Sequence, residues 1–409
     1  MNCFEDLKWR GLIKDISSPE IEKKLNEEKV TFYIGTDPTA DSMHIGHFSS
    51  FLIATRLARY GHKPILLIGG ATGLIGDPKP SNERPMITKE EVDKNVLGLT
   101  KQAEKFFGFE VVNNYSWSKE INVIDFLRDY GKYINVNYML DKDIISRRLS
   151  SGITFCEFAY TLLQGMDFVH LNETKGVTLQ VAGSDQWGNI TTGIELARKK
   201  NDVELYGMTM PLVVDANGVK FGKTEGNALW LDKDKTSSYE LYQYLINSDD
   251  TVVIDYLKKL TFLTKEEIET IEVEHQQCPD KRLAQKVLAK EVITFLHGSE
   301  EFDKAIRISE ALFSGNVKEL SIKEIEDGFK DVPNFEFKSC TLIELLVDNK
   351  IATSRREARE FLSAGSISIN GEKVNDENMI IDSNLAIEGK AIIIKKGKKK
   401  YYLGLIKHD

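Results

Sequence analysis

Four short apolar runs, Thr31–Thr36, Pro64–Gly69, Thr178–Gly183 and Met210–Val214, alternate with stretches of helical periodicity between residues 30 and 215. Each run is close to continuously apolar, as expected of a strand covered on both faces. Gly46 to Tyr60 (GHFSSFLIATRLARY) has helical periodicity between the first two runs and stops at Gly61, a natural C-cap. A repeated strand–helix–strand unit predicts an α/β domain built on a doubly wound parallel sheet, with ligands bound beyond the carboxyl ends of its strands.

Past Asn227 the strand signal gives way to charged helical text such as TKEEIETIEVEHQQ, and a turn-rich DVPNFEF at 331–337 leads into a last module of about 70 residues. With 409 residues the chain exceeds one ordinary core, and three domains are expected: 1–226 (α/β), 227–330 (α-helical) and 331–409 (linker and a small α+β module). Hydrophobic residues at 41% and charged residues at 29% fit a soluble globular chain. Cys3, Cys156, Cys278 and Cys340 show no paired spacing, which argues against a zinc ribbon or a disulfide framework and suits a reducing cytosol. The start, MNCFEDLKWRG, lacks a basic-then-apolar signal pattern, and no stretch is apolar enough to span a bilayer, so a cytoplasmic protein with no membrane partner is expected.

The net charge is −9, but it is unevenly spread. Residues 338–409 hold 13 Lys and Arg against 10 Asp and Glu, whereas residues 1–337 hold 41 against 53. A basic tail on an acidic body is the asymmetry expected when one module meets a polyanion.

Three constellations carry chemistry. Asp37-Pro-Thr39-Ala-Asp-Ser-Met-His44-Ile-Gly46-His47 follows the first strand and opens a helix, where free N–H groups and the helix dipole favour an anion. Two imidazoles there would cradle a phosphate; the alternative is a pair that only caps the helix. A metal site has less support, since no HExxH pattern or nearby cysteine supplies further ligands. Lys220-Phe221-Gly222-Lys223-Thr224 follows the last expected strand, and its two lysines could close over a polyphosphate or be a solvated turn. Tyr160, Gln164 and Asp167 fall at i, i+4 and i+7 in the helical stretch Thr154–Leu171. Their apolar surroundings make that shared face the polar lining of a buried ligand site rather than a wet surface. Tyr33, inside the first strand, reads from the residues alone as a core aromatic.

Together these residues resemble the tyrosyl-tRNA synthetases, class I aminoacyl-tRNA synthetases with a HIGH and a KMSKS-type motif. HIGH is literal at His44–His47, and KFGKT stands at Lys220–Thr224. YIGTDPTADSMHIGH (33–47), GGATGLIGDP (69–78), YTLLQGMDF (160–168) and GSDQWGN (183–189) look like that family in the right order. Thr341–Val374 (TLIELLVDNKIATSRREAREFLSAGSISINGEKV) resembles an S4-type RNA-binding domain, with Arg355, Arg356 and Arg359 on its helix. The fold implied is a Rossmann-like catalytic domain, then a helical domain and an S4-like module.

The resemblance implies that Tyr33 and Asp167 hydrogen-bond the phenol of L-tyrosine, and that Asp77, Tyr160 and Gln164 hold its ammonium, supported by Gln180. It puts Gln186 near the carboxylate, Gly183 and Asp185 at the ATP ribose, and Gly35, Asp37 and Gly46 against the nucleotide. Thr39, His44, His47, Lys220, Lys223 and Thr224 would bind the phosphates, with Mg2+ arriving on ATP and no dedicated metal site. The loop Pro78-Lys79-Pro-Ser-Asn-Glu-Arg84 is one residue shorter than is usual and lacks the common glycine–lysine, leaving Lys79 or Arg84 to serve. The reaction implied is attack of the tyrosine carboxylate on the ATP α-phosphate, then transfer to the terminal ribose of tRNA(Tyr), by a homodimer. Rival readings are a tryptophanyl enzyme, a non-catalytic RNA-binding relative and a small-molecule adenylyltransferase.

Overall fold

In the computed structural model the described residues are 1–77, 85–149, 152–222, 228–329, 332–397 and 400–407, the side chains of 143 and 144 excepted. The chain divides into two compact units, Met1–Lys235 with Ser248–Val292, and Thr236–Asn247 with Ile293–Asp409. The helical text after Asn227 is therefore shared between them.

The first unit holds a six-stranded sheet made of β1 (Asp15–Ile16), β2 (Thr31–Thr36), β3 (Lys63–Ile68), β4 (Glu110–Asn113), β5 (Leu179–Gly183) and β6 (Tyr206–Met210), in the order β1-β6-β5-β2-β3-β4. All pairings are parallel except β1 with β6. The chain winds outward from β2 to β4 and then returns to lay β5 and β6 on the other side of β2. Its switch point thus lies between the carboxyl ends of β2 and β5, where a doubly wound sheet opens a ligand crevice.

Phe32, Tyr33, Ile34, Ile65, Leu66 and Ile68 are buried, which accounts for the unbroken apolar text of β2 and β3. The helix Ile45–Arg59 packs against β3 and β5 and buries residues such as Phe48 and Leu52. The helix Phe155–Lys175 begins at a Thr154–Glu157 capping box and packs closely on the helix Trp187–Asn201.

One expected strand is displaced. Met210–Val214 is not a strand; the ladder runs through Tyr206–Met210, all five residues buried, and breaks at Pro211, which has no N–H to give. The string YGMTM hides its strand character because Gly207 is dictated by packing: a Cβ there would lie 2.3 Å from Ile190 Cγ2. Val213 and Val214 instead form one arm of a hairpin, with the Phe221 N–H donating to the Val213 carbonyl at 2.9 Å and Val214 bridging Lys220.

The second unit carries a five-stranded sheet, with β7 (Asn334–Phe337), β9 (Ile367–Ile369), β10 (Glu372–Lys373), β12 (Ala391–Lys396) and β13 (Lys400–Ile406) in the order β10-β9-β12-β13-β7. A separate short pair joins β8 (Cys340–Thr341) to β11 (Ile380–Ile381). Along β12 successive side chains alternate between two cores: Ile392 and Ile394 pack with Leu342 and Leu362, and Ile393 packs with Ile308 and Phe329. Ser354 caps the helix Arg355–Ser363, which leaves Arg355, Arg356 and Arg359 exposed.

Candidate functional site

A cavity of about 440 Å³ opens at the switch point of the first unit. Its lining includes Tyr33, Gly35, Asp37, Thr39, His44, Gly46, His47, Asp77, Tyr160, Gln164, Asp167, Gln180, Gly183, Asp185, Gln186 and Lys220, so residues spread over nearly 190 positions of sequence converge. Lys223, Thr224 and the loop 78–84, with Lys79 and Arg84, lie outside the described residues.

One end of the cavity suits an anion. His44 is the N-cap of Ile45–Arg59: its Nδ1 accepts from the Gly46 N–H at 3.1 Å, while His47 Nδ1 accepts from the His44 N–H at 3.1 Å. Capping and phosphate binding, alternatives in the sequence, are thus compatible. A neutral imidazole that accepts at Nδ1 carries its proton on Nε2, leaving a donor for an oxyanion. Burial, then the neighbouring His44, pushes the His47 pKa down to about 3, which keeps that ring neutral. Lys220 Nζ lies 3.7 Å from the Asp185 carboxylate, both half exposed.

The other end is acidic, with Asp37, Asp77 and Asp167 among its lining. Asp37 accepts from the Thr72 hydroxyl at 2.8 Å and from the Tyr160 hydroxyl at 3.0 Å. Asp37, expected against the nucleotide, thus has two hydroxyl donors at this end of the cavity. Asp77 accepts from Gln186 Nε2 at 3.0 Å and from Asn189 Nδ2 at 3.2 Å. Burial, with Asp37 and Asp77 next, holds the Tyr160 phenol far above its ordinary pKa, so it remains a donor.

Asp167 is buried, 2% exposed; its Oδ1 accepts from Trp117 Nε1 and its Oδ2 from Asn114 Nδ2, each at 2.9 Å. Burial pushes its pKa up to about 7, while those two hydrogen bonds pull the other way. The Tyr33 hydroxyl is buried with no hydrogen-bond partner, as is Gln180 Oε1. An orphaned phenolic donor beside a carboxylate asks for a ligand carrying a hydroxyl. Tyr33 is thus the core aromatic its strand position suggests, and it also carries an unpaired polar atom.

Sequence reasoning missed Thr72, Asn114, Trp117 and Asn189. Asn114 and Trp117 sit on NNYSW, directly after β4, and the rule that sites follow strand carboxyl ends could have found them had β4 been recognised.

The description tRNA synthetases class I (W and Y) matches residues 25–314, and that of a tyrosine–tRNA ligase SYY-like C-terminal domain matches 324–404. A tyrosine–tRNA ligase of Staphylococcus saprophyticus is 52% identical over 98% of each chain. Among solved structures, C-terminally truncated mitochondrial tyrosyl-tRNA synthetases from Aspergillus nidulans and Coccidioides posadasii are similar in fold. The first has a TM-score of 0.67 at 33% identity over 76% of this chain and 94% of its own; the second has 0.66 at 32% over 75% and 91%.

Proposed function

This chain belongs to the class I tRNA synthetases of the W and Y type, and from that premise we infer that it activates L-tyrosine with ATP and transfers it to the 3′-terminal adenosine of tRNA(Tyr). One observation supports this most: a cavity with an orphaned phenol donor and a buried carboxylate at one end carries paired imidazoles and a lysine at the other.

In this reading the substrate phenol donates to Asp167 and accepts from Tyr33. Asp77, Tyr160 and Gln164 hold the ammonium, with Asp37 and Gln180 close behind, and Gln186 lies near the carboxylate. Gly183 and Asp185 take the ribose and Gly35 the nucleotide, while Thr39, His44, Gly46, His47, Lys220, Lys223 and Thr224 bind the phosphates. A tyrosine carboxylate oxygen bonds to the α-phosphorus, and the bond from that phosphorus to the bridging oxygen breaks and releases pyrophosphate. A ribose hydroxyl of the tRNA then attacks the adenylate carbonyl and AMP leaves. No protein nucleophile takes part, so catalysis consists of positioning and of charge stabilisation that strengthens towards the transition state. The groups assigned to the phosphates are imidazoles, ammoniums and hydroxyls rather than a cage of carboxylates, so Mg2+ would come as part of the ATP substrate.

The three-part division into catalytic (1–226), helical (227–330) and RNA-binding (331–409) regions is retained as a functional partition. Arg355, Arg356 and Arg359 would follow tRNA phosphates; each pairs at the surface with a carboxylate, Glu344, Glu360 and Glu377 respectively, contacts weak enough to be exchanged. A homodimer is proposed through the stretch 123–155, which exposes Val123, Ile124, Val136 and Phe155. The cytoplasm, where ATP and tRNA meet, is the proposed compartment; among the described residues no helix is long and apolar enough to cross a membrane.

Pyrophosphate exchange tests the two ends separately. Lys220→Ala should lower kcat with little change in the KM for tyrosine, whereas Asp167→Ala should raise that KM. The reverse pattern would refute the assignment.

A further inference from the structure

A tyrosine outside the sheet touches both arms of the hairpin that carries Lys220. Its arms, Val213–Val214 and Lys220–Phe221, are joined by the Phe221-to-Val213 hydrogen bond at 2.9 Å and the Val214–Lys220 bridge. Tyr256, 2% exposed, touches both arms: its hydroxyl donates to the Val214 carbonyl at 3.0 Å, and its ring meets the buried Phe221 edge-on with centroids 4.8 Å apart. Its helix, Val253–Leu260, also buries the apolar Val253, Leu257 and Leu260.

That helix is itself pinned. It packs on Ile45–Arg59, the helix opened by His44 and His47. Two buried guanidiniums bind the carbonyls at its end: Arg10 donates to Lys258 at 2.9 Å and to Leu263 at 2.7 Å, and Arg56 donates to Thr261. Arg10 is in turn paired with the buried Asp6 at 2.7 Å. On the far side of the Lys220 loop, the Ile45 N–H donates to the Leu229 carbonyl and the Leu231 N–H to the Met43 carbonyl, both at 2.8 Å. The His44–His47 helix and the Lys220 arm are therefore referenced to one mount, and Tyr256 is one point where that mount reaches the arm, beside the close approach of Gly222 to Ile45.

We propose that Tyr256 is a positioning residue for adenylate formation, fixing the Val213–Phe221 hairpin so that Lys220 meets the departing pyrophosphate. The inference rests on Lys220 binding the phosphates, as proposed above. Held by hydroxyl and ring together, the hairpin pre-orients the ammonium before the transition state and leaves the tyrosine end untouched.

The test is a double-mutant cycle read by pyrophosphate exchange in the full-length protein. Tyr256→Phe keeps the ring and removes the hydroxyl; it should lower kcat by about three- to tenfold, the size of one lost hydrogen bond, with the KM for tyrosine within about twofold. In a Lys220→Ala background the same change should alter kcat by less than about twofold, because the group it positions is gone. An equal fall in both backgrounds, or a rise in tyrosine KM with kcat intact, would overturn the inference. Fluorescence titration of tyrosine binding, unchanged in Tyr256→Phe, separates a positioning loss from a folding loss; weakened binding there would also count against it. If Lys220→Ala alone left exchange unaltered, the phosphate role of Lys220 would fall and this inference with it, whereas a strong Lys220→Ala defect with additive Tyr256→Phe would refute only the latter.

Discussion

Trp117 Nε1 donates to Asp167 Oδ1 at 2.9 Å across 50 residues of sequence, from a single helical turn after β4 to the middle of the helix Phe155–Lys175. The indole is stacked on His170, with centroids 4.3 Å apart, so its N–H is aimed rather than free to turn. Together with Asn114 it holds the carboxylate that would receive the substrate phenol. Trp117→Phe keeps the stacking surface and deletes the donor. It should raise the KM for tyrosine by about ten- to a hundredfold and leave that for ATP near its original value, since a hydrogen bond to a charged group contributes about 1.5–3 kcal/mol. Steady-state exchange kinetics check this.

Tyrosine binding should depend on pH through Asp167. Its pKa is pushed up from 3.8 to about 7, chiefly by burial, so the native state keeps a proton across a window in which the unfolded chain has lost it. The group's contribution to stability is therefore fully present below pH 3.8 and is lost as pH rises through about 7. Ligand binding runs the other way, because only the ionised carboxylate can accept from Asn114, Trp117 and a phenol together. The Kd for tyrosine should tighten as pH rises through about 7, and Asp167→Asn should flatten the profile. A flat profile in the unmodified protein would contradict this.

Gly222 has φ of 83°, and a Cβ on it would lie 1.8 Å from Ile45 Cγ2. No side chain fits both that backbone and that contact. Gly222→Ala should displace the segment after Lys220 from the start of the His44–His47 helix and lower kcat by at least about tenfold. Because the change lies outside the sheet core, melting temperature should fall by only a few degrees. Exchange kinetics with calorimetry separate the two effects.

Charge on the last module should matter to tRNA alone. Changing Arg355, Arg356 and Arg359 together to glutamine should weaken tRNA binding and reduce the slope of log affinity against log salt by about two. Tyrosine-dependent pyrophosphate exchange, which needs no tRNA, should be unchanged. Filter binding across a salt series, beside exchange, gives both readings.

Local spacing carried much of this site into view. His44 and His47 are legible because residues three apart at a helix start face one way, and Tyr160, Gln164 and Asp167 because 3.6-residue periodicity puts them on one face. Parallel strands announce themselves when both faces are apolar, as in β2 and β3. What stays hidden is whatever depends on distant pairing. Asn114, Trp117, Thr72 and Asn189 look like loop polars until the fold sets them against Asp167, Asp37 and Asp77. Tyr33 reads as core because it is buried in a strand; only its unpaired hydroxyl, invisible in sequence, sets it apart from a core aromatic. β6 was misplaced because Gly207 answers to Ile190, a neighbour that sequence order does not reveal.

Pyrophosphate exchange driven by each amino acid in turn is the most direct trial of a cavity built for a phenol. A site whose buried donor and carboxylate both need that hydroxyl should reject phenylalanine by about 10⁴-fold or more in kcat/KM, as is general for pockets that pair a substrate hydroxyl, a behaviour documented for this same enzyme family. Exchange with tyrosine alone is the predicted result. Exchange driven by phenylalanine or tryptophan at a comparable rate would contradict the account.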